Sequence, residues 1–234
     1  MVKKFIILLL VAGMGLIFFD LFTAYQSDEN LNRTGEYYAQ NAATDVGAAN
    51  LVTAVVVTYR GLDTLGEVSI LFLTAAIISF VLKFRDEELE KNREVRPTSE
   101  ILDTATQVLT PIIMLVGIYI FMNGHLTPGG GFQGGAVIAS AVLLMLLASP
   151  KMKISHTVIA TIETISGVSF VIIGALGIAI GGGFLDNSIM SLGTFGTLLS
   201  AGAIPIIYIF VGLKVGAELS NIIGTFSQAQ NEIK

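Results

Sequence analysis

Long apolar runs alternate with short polar breaks along this chain, and six of the runs approach the roughly 20 residues that a spanning helix needs. They fall at Phe5–Phe22, Leu65–Phe84, Ala105–Met122, Phe132–Ala148, Thr157–Ile180 and Leu192–Leu213. A seventh stretch, Val46–Thr58, is apolar but only 13 residues long. That length suits a re-entrant or interfacial helix better than a crossing. The pattern predicts an all-α integral membrane protein with about six transmembrane helices plus that short extra helix.

The polar breaks organise the spans. Lys83–Ser99, KFRDEELEKNREVRPTS, is a charged segment able to form helix until Pro97, with two spans before it and four after. This divides the chain into a two-span unit at 1–84, a cytoplasmic linker at 85–100 and a four-span unit at 101–234. Cytoplasmic loops carry an excess of Lys and Arg. With the N-terminus inside, Lys3, Lys4, Lys83, Arg85, Lys91, Arg93, Arg96, Lys151, Lys153, Lys214 and Lys234 fall inside, and only Arg33 and Arg60 outside. A crossing by Val46–Thr58 would destroy this asymmetry. The expected protein is therefore a multi-pass protein of the cytoplasmic membrane with both termini cytoplasmic. The first run also has the layout of a signal peptide, ending near Thr23-Ala24, but Asp20 directly after the apolar core favours an uncleaved anchor.

Composition narrows the chemistry. Charged residues are 13% of the chain, against about 25% in soluble domains. Mean hydropathy is +0.77, which a bilayer accommodates directly. The net charge of −5, with no basic patch interleaved with aromatics, argues against a nucleic-acid partner and leaves membrane lipid as the surrounding phase. Cysteine is absent, which excludes disulfides, thiol nucleophiles and cysteine-ligated metal clusters within the chain. The two histidines, His125 and His156, are far apart, so no cofactor or metal is expected in this chain.

Three polar clusters stand against the apolar background. In the first, Arg60-Gly61-Leu62-Asp63-Thr64-Leu65-Gly66-Glu67, a continuous helix places Arg60 and Glu67 on one face. An ionisable group at membrane depth costs about 2.5–3.5 kcal/mol and is usually kept for an ion site, a proton relay or a paired charge. Thr64-x-x-Glu67 also reads as a capping box, and relay and cap stand level on residue chemistry alone. The second cluster, His125-Leu126-Thr127-Pro128-Gly129-Gly130-Gly131-Phe132-Gln133-Gly134-Gly135, joins the third and fourth spans. Its glycines give small-xxx-small spacing for close helix contact. Packing and tight turning is the leading reading, with an ion or lipid contact the alternative, and His125 reads as a hydrogen-bonded interface residue.

The third is Glu163 inside the fifth span, seven residues after His156 and therefore about 10 Å further along. Thr157, Thr161 and Thr164 can share its face, with Ser166 nearby. The two readings are a protonatable site within the membrane and a buried carboxylic acid bonded to a neighbouring helix. Lys214 and Glu218, four residues apart after the predicted sixth span, read as an exposed ion pair near the membrane boundary.

Two patches carry a family resemblance. Residues 101–148, with the turn GHLTPGGGFQGG as their most specific part, resemble the B subunit of Mrp-type multisubunit sodium/proton antiporters. Residues 47–76, GAANLVTAVVVTYRGLDTLGEVSILFLTAA, resemble the C-terminal end of the large A subunit of those antiporters. That piece is also similar to a small free-standing subunit of membrane-bound hydrogenases and related sulfur-reducing complexes. The joining of this piece to a B-like unit departs from the usual antiporter layout.

The resemblance implies a non-enzymatic transport subunit that helps form a path for Na+ or H+, the transported ion. Its implied partners are other Mrp-type antiporter subunits or hydrogenase-like redox subunits. It implies that Arg60, Asp63 and Glu67 belong to the charged motif needed for ion transport, with Glu67 as the transient ion carrier and Arg60 poising its charge. His125, Pro128, Gly130, Gly131, Phe132 and Gly134 carry over as the structural signature. Glu163 has no counterpart in the resemblance and stands on its membrane depth alone. The alternatives are the same module within a redox-driven complex and a purely structural scaffold.

Overall fold

The computed structural model describes residues 2–25, 30–83, 98–149 and 155–230. The chain divides into two compact units, Met1–Tyr37 and Tyr38–Lys234. In the first, helix α1 (Val2–Ala24) is apolar all round and none of its span is buried. Such a helix suits lipid or a partner helix on every side. Helix α2 (Arg33–Asp45) crosses from the first unit into the second.

In the second unit the chain enters a short helix, α3 (Leu51–Thr53), which widens into a π-helical turn over Ala54–Tyr59. It breaks at Arg60, where φ is −126° and ψ 38°, and α4 (Gly61–Lys83) begins on the next residue. The break has a packing cause. A Cβ on Gly61 would lie 2.9 Å from the carbonyl oxygen of Phe184 and 3.0 Å from Cβ of Leu185, so only glycine admits this approach. Thr64 Oγ1 donates to the Val56 carbonyl at 2.6 Å, tying the two helical pieces together across the break.

The remaining elements are α5 (Glu100–Met122), α6 (Gly131–Ala148), α7 (His156–Ile180), a 3₁₀ turn (Asn187–Ile189) and α8 (Ile204–Gln230). Ser99 and Ser155 cap α5 and α7 by accepting from Leu102 N and Val158 N. Helix α8 is the hub, packed against α4, α5, α6 and α7, and it has the most deeply buried span. Glycines set how close its neighbours come. A Cβ on Gly131 would meet Val211 at 2.6 Å, and one on Gly135 would meet the Gly212 carbonyl at 2.8 Å, both on α8. On the other side of α6, a Cβ on Gly134 would lie 2.6 Å from the Gly117 carbonyl of α5.

Among the described residues six helices are long and apolar enough to cross a membrane, at Lys4–Ala24, Gly61–Leu82, Glu100–Met122, Gly131–Ala148, His156–Ile180 and Ile204–Ser227. The stretch Val46–Thr58 yields only the short α3 and its π-helical turn. The last span corrects the reading from pattern, which placed it at Leu192–Leu213. Residues 190–203 are irregular, with Gly193, Ala201 and Gly202 at positive φ of 64°, 65° and 59°. Pro205 lies in the first turn of α8, where its missing N–H leaves no intrahelical bond unmade. The charged linker expected at 85–100 lies, apart from residues 98–100, outside the described residues, as do Lys151 and Lys153.

Candidate functional site

Two polar centres are built on this frame. The first joins the α3 segment to the loops before α6 and α8. Asn50 caps α3, its Oδ1 accepting from Val52 N at 3.1 Å, while its Nδ2 donates to the carbonyls of Gly124 and Thr127 at 2.8 and 2.9 Å. Thr53 Oγ1 donates to the same Gly124 carbonyl at 2.6 Å, and Tyr208 Oη of α8 donates to Thr53 Oγ1 at 2.9 Å. Asn187 Nδ2 bridges the carbonyls of Val46 and Ala201 at 2.8 and 3.0 Å. These asparagines drew no notice in the sequence. Their signal is weak, since a capping Asn resembles any turn Asn until its distant carbonyl partners are known.

The predicted residues of this region divide. His125 is fully buried, its carbonyl accepting from Asn50 N at 3.0 Å and its Nε2 lying 3.4 Å from the Thr197 carbonyl. Its Nδ1 has no partner among the described residues. Burial pulls the imidazole below its usual pKa, against the opposing pull of the Thr197 and Leu198 backbone, so the neutral ring is favoured. Gly130, at φ 150°, packs a would-be Cβ 3.2 Å from the Tyr208 ring. Phe132 is partly buried against the core, and Pro128 is exposed.

Around the helix break, Arg60 pairs with Asp63 at 2.5 Å with both side chains more than half exposed. The interruption at Arg60 removes the continuous helix assumed for Arg60 and Glu67, and the guanidinium turns to Asp63 instead. Thr64 turns inward to Val56, so the capping box does not form. Glu67 is exposed on the second turn of α4 and makes no ion pair among the described residues.

The second centre corrects the reading of Lys214 and Glu218. They are not a boundary pair. Lys214 lies ten residues into α8, about 15 Å from its start and near the middle of a span. Its Nζ donates to Glu218 Oε1 at 2.5 Å, with side-chain exposures of 9% and 0%. The displaced span boundary caused the misreading. A pair four residues apart on a helix is legible in sequence, but its depth is not. Lys214 Nζ also lies 5.1 Å from the ring centroid of Phe72 on α4, a cation–π contact. Glu163 is half-buried on the face of α7 that carries Gly167. Gly167, one turn further along, leaves room for the lysine stem, whose Cδ, Cε and Nζ lie 3.4–3.5 Å from where a Cβ would stand. The threonines expected beside Glu163 do not join it. Thr157, Thr161 and Thr164 line an open groove on α7 with His156.

Residues 101–221 match the family described as a domain related to the MnhB subunit of Na+/H+ antiporter, just over half of the chain. This chain belongs to the MnhB-related family. Residues 2–107 match a second family, MbhE, the E subunit of MBH, so an MnhB-like unit is fused to an MbhE-like one. An uncharacterized protein of Methanocaldococcus jannaschii is 31% identical over 73% of this chain and 74% of its own length. The B subunit of the Na+/H+ antiporter of Bacillus subtilis is 34% identical over 36% of this chain and 54% of its own length. A chain of the membrane-bound sulfane sulfur reductase, an archaeal respiratory membrane complex, superposes with a TM-score of 0.79 at 39% identity, covering 97% of this chain and 98% of that one. A chain of the Mrp complex from Dietzia sp. shares the fold, with a TM-score of 0.75 at 23% identity over 96% of this chain and 26% of that one. The MnhB-related chain is thus a multi-pass membrane protein of the kind found in multisubunit membrane complexes. Its first polar centre lies where the MbhE-like region meets the MnhB-like one, and its second lies on α7 and α8, within the MnhB-like region, with Phe72 of the MbhE-like region against it.

Proposed function

We propose that this chain lines part of a Na+ or H+ path in an Mrp-type cation/proton antiporter module, and that the path runs where α4 meets partner subunits. The observation that carries this reading is the carboxylate of Glu67. It projects from the surface of the chain about 9 Å into a span and lacks an ion-pair partner among the described residues. A charge against hydrocarbon costs about 2.5–3.5 kcal/mol at the centre of a span and less toward its end, and a partner subunit or a water-filled path beside Glu67 removes that cost. The exposed Arg60–Asp63 pair stands at the mouth of this region, beside the helix break. Interrupted helices that expose backbone and charge are a recurring way to build ion sites in membranes.

The N-terminus is cytoplasmic in this arrangement, which puts the loop after α6 inside and the loop after α7 outside. The test of the path is Glu67→Gln in the assembled complex reconstituted into vesicles. Sodium/proton exchange is expected to be abolished while the subunits still co-purify. Exchange surviving in an intact complex removes Glu67 from the path. The kinship with a chain of the sulfane sulfur reductase favours a second setting, in which the same module is driven by redox partners. Deletion of this chain would then also cut hydrogen or sulfur turnover.

A further inference from the structure

The buried pair on α8 is not part of the reading above, and its geometry asks for a ligand. Glu218 is fully buried, yet only Oε1 is bonded, to Lys214. Oε2 has no partner among the described residues. An unsatisfied carboxylate oxygen in a low-dielectric interior is costly, and a bound cation or a proton relieves it. Glu163 brings a second carboxylate to the side of α7 that faces the pair, one turn before Gly167, whose Cβ position lies 3.5 Å from Lys214 Nζ. With Lys214 charged, the three groups carry one negative charge more than positive when both carboxylates are ionised. One monovalent cation completes the cluster.

The surroundings select among cations. Lys214 lies at hydrogen-bond distance from the glutamate and repels a metal ion placed there. A dehydrated hard cation needs several oxygen ligands at once. Among the described residues no group of three or more His, Asp or Glu is placed to hold one. A proton needs a single oxygen. The other elements packed on α8 bring no further charge to this level. Helix α6 has no titratable residue, and α4 presents Phe72, with Glu67 on its outer surface. Helix α5 carries Glu100 and Asp103 only in its exposed first turn, and His156 opens α7 about 10 Å from Glu163 and is exposed.

We propose that Glu163, Lys214 and Glu218 form an intramembrane proton-binding site, with Glu218 Oε2 as the seat of the proton and half-buried Glu163 as its route to and from the surface of the chain. In the transfer step the protonated Glu163 gives its proton to the ionised Glu218, leaving Glu163 ionised and Glu218 neutral. Lys214 stays bonded to Glu218 Oε1 and exchanges no proton in this step. The site stands on this geometry alone; only its use in exchange rests on the transport reading.

The test is infrared difference spectroscopy of the carboxyl stretch, recorded on the purified assembled complex between about pH 5 and pH 9. A protonated-carboxyl band that titrates in the native complex is expected to be lost in Glu218→Gln. It is also expected to be lost in the double variant Lys214→Met with Glu218→Gln, which leaves no unpaired buried charge to disturb folding. Glu163→Gln is expected to keep the band and displace its pH midpoint. An unchanged native band in Glu218→Gln overturns the proposal, as does a band that answers to sodium at fixed pH and not to pH. An unmoved midpoint in Glu163→Gln removes Glu163 as the route. Because the band is read without any exchange assay, its failure is separate from the failure of Glu67 as a path residue.

Discussion

A single lysine and a single glutamate illustrate how context decides the value of a charge. Lys214 and Glu218 at i and i+4 on a surface helix would be worth a few tenths of a kcal/mol. Buried in α8, each depends on the other, because removing one partner strands the remaining charge. Lys214→Met alone is expected to destabilise the chain by about 3–5 kcal/mol, and pairing it with Glu218→Gln should recover most of that loss. Thermal unfolding of the three variants in detergent measures this as a double-mutant cycle. His125 makes the opposite case, a buried ring held neutral. Its folded pKa lies below the ordinary value of 6.5, so the unfolded chain binds more protons as pH falls through that value. Stability from this residue is complete above about pH 6.5 and declines below it. The unfolding midpoint should therefore drop on going from about pH 7.5 to pH 5.5, and drop less in His125→Gln. Pattern reading reached His125 as a hydrogen-bonded residue and Glu163 as a carboxyl at membrane depth; the burial of Glu218 and the neutrality of His125 depend on surroundings that residue type does not show.

At the scale of helices, pattern reading succeeded where apolar runs ended in unambiguous polar breaks. The spans α4 to α7 follow such runs, and the short α3 segment follows from the 13-residue stretch at 46–58. It slipped at the last span because residues 192–203, LGTFGTLLSAGA, are as apolar as a helix while their glycines hold a folded loop. Hydropathy registers solvent preference, and this loop is anchored by Asn187 and Gly202 contacts that hydropathy does not see. The glycine spacing of α6 was informative because close helix contact is a local demand. Not every glycine carries it equally. A Cβ on Gly135 would lie 2.8 Å from the Gly212 carbonyl, whereas one on Gly216 in the same interface meets nothing nearer than 3.5 Å. Gly135→Ala should force α6 from α8 and destabilise by about 1–3 kcal/mol, and Gly216→Ala should be close to neutral, as read by unfolding of the purified chain.

For the molecule as a whole, orientation and company each have a direct readout. The native chain has no cysteine, so single substitutions can be labelled without background. Thr194→Cys should react with a membrane-impermeant thiol reagent from outside the cell, and Ser149→Cys should not; the reverse inverts the orientation. Affinity purification in mild detergent followed by mass identification separates the two settings. Antiporter-type subunits alone mean a stand-alone exchanger, and nickel–iron or iron–sulfur proteins among them mean a redox-driven pump. The fusion of two family units was legible in sequence because each kept its own motif. The bonds that join them were not, since Asn50 meets Gly124 and Thr127 across more than seventy residues.

Those bonds change what the connecting peptide is needed for. Where two such units are separate polypeptides, each encounter is bimolecular and depends on how many copies the membrane holds. Here the chain supplies one of each, at an effective concentration fixed by the tether and independent of expression. The junction, where α4 packs on α8 and a few hydrogen bonds with the buried Tyr208–Thr53 contact hold the α3 segment, therefore needs no affinity sufficient for free partners. A protease site inserted between residues 90 and 91 would convert concentration-independent docking into ordinary association, and dilution after cleavage would reveal how strong that junction is by itself.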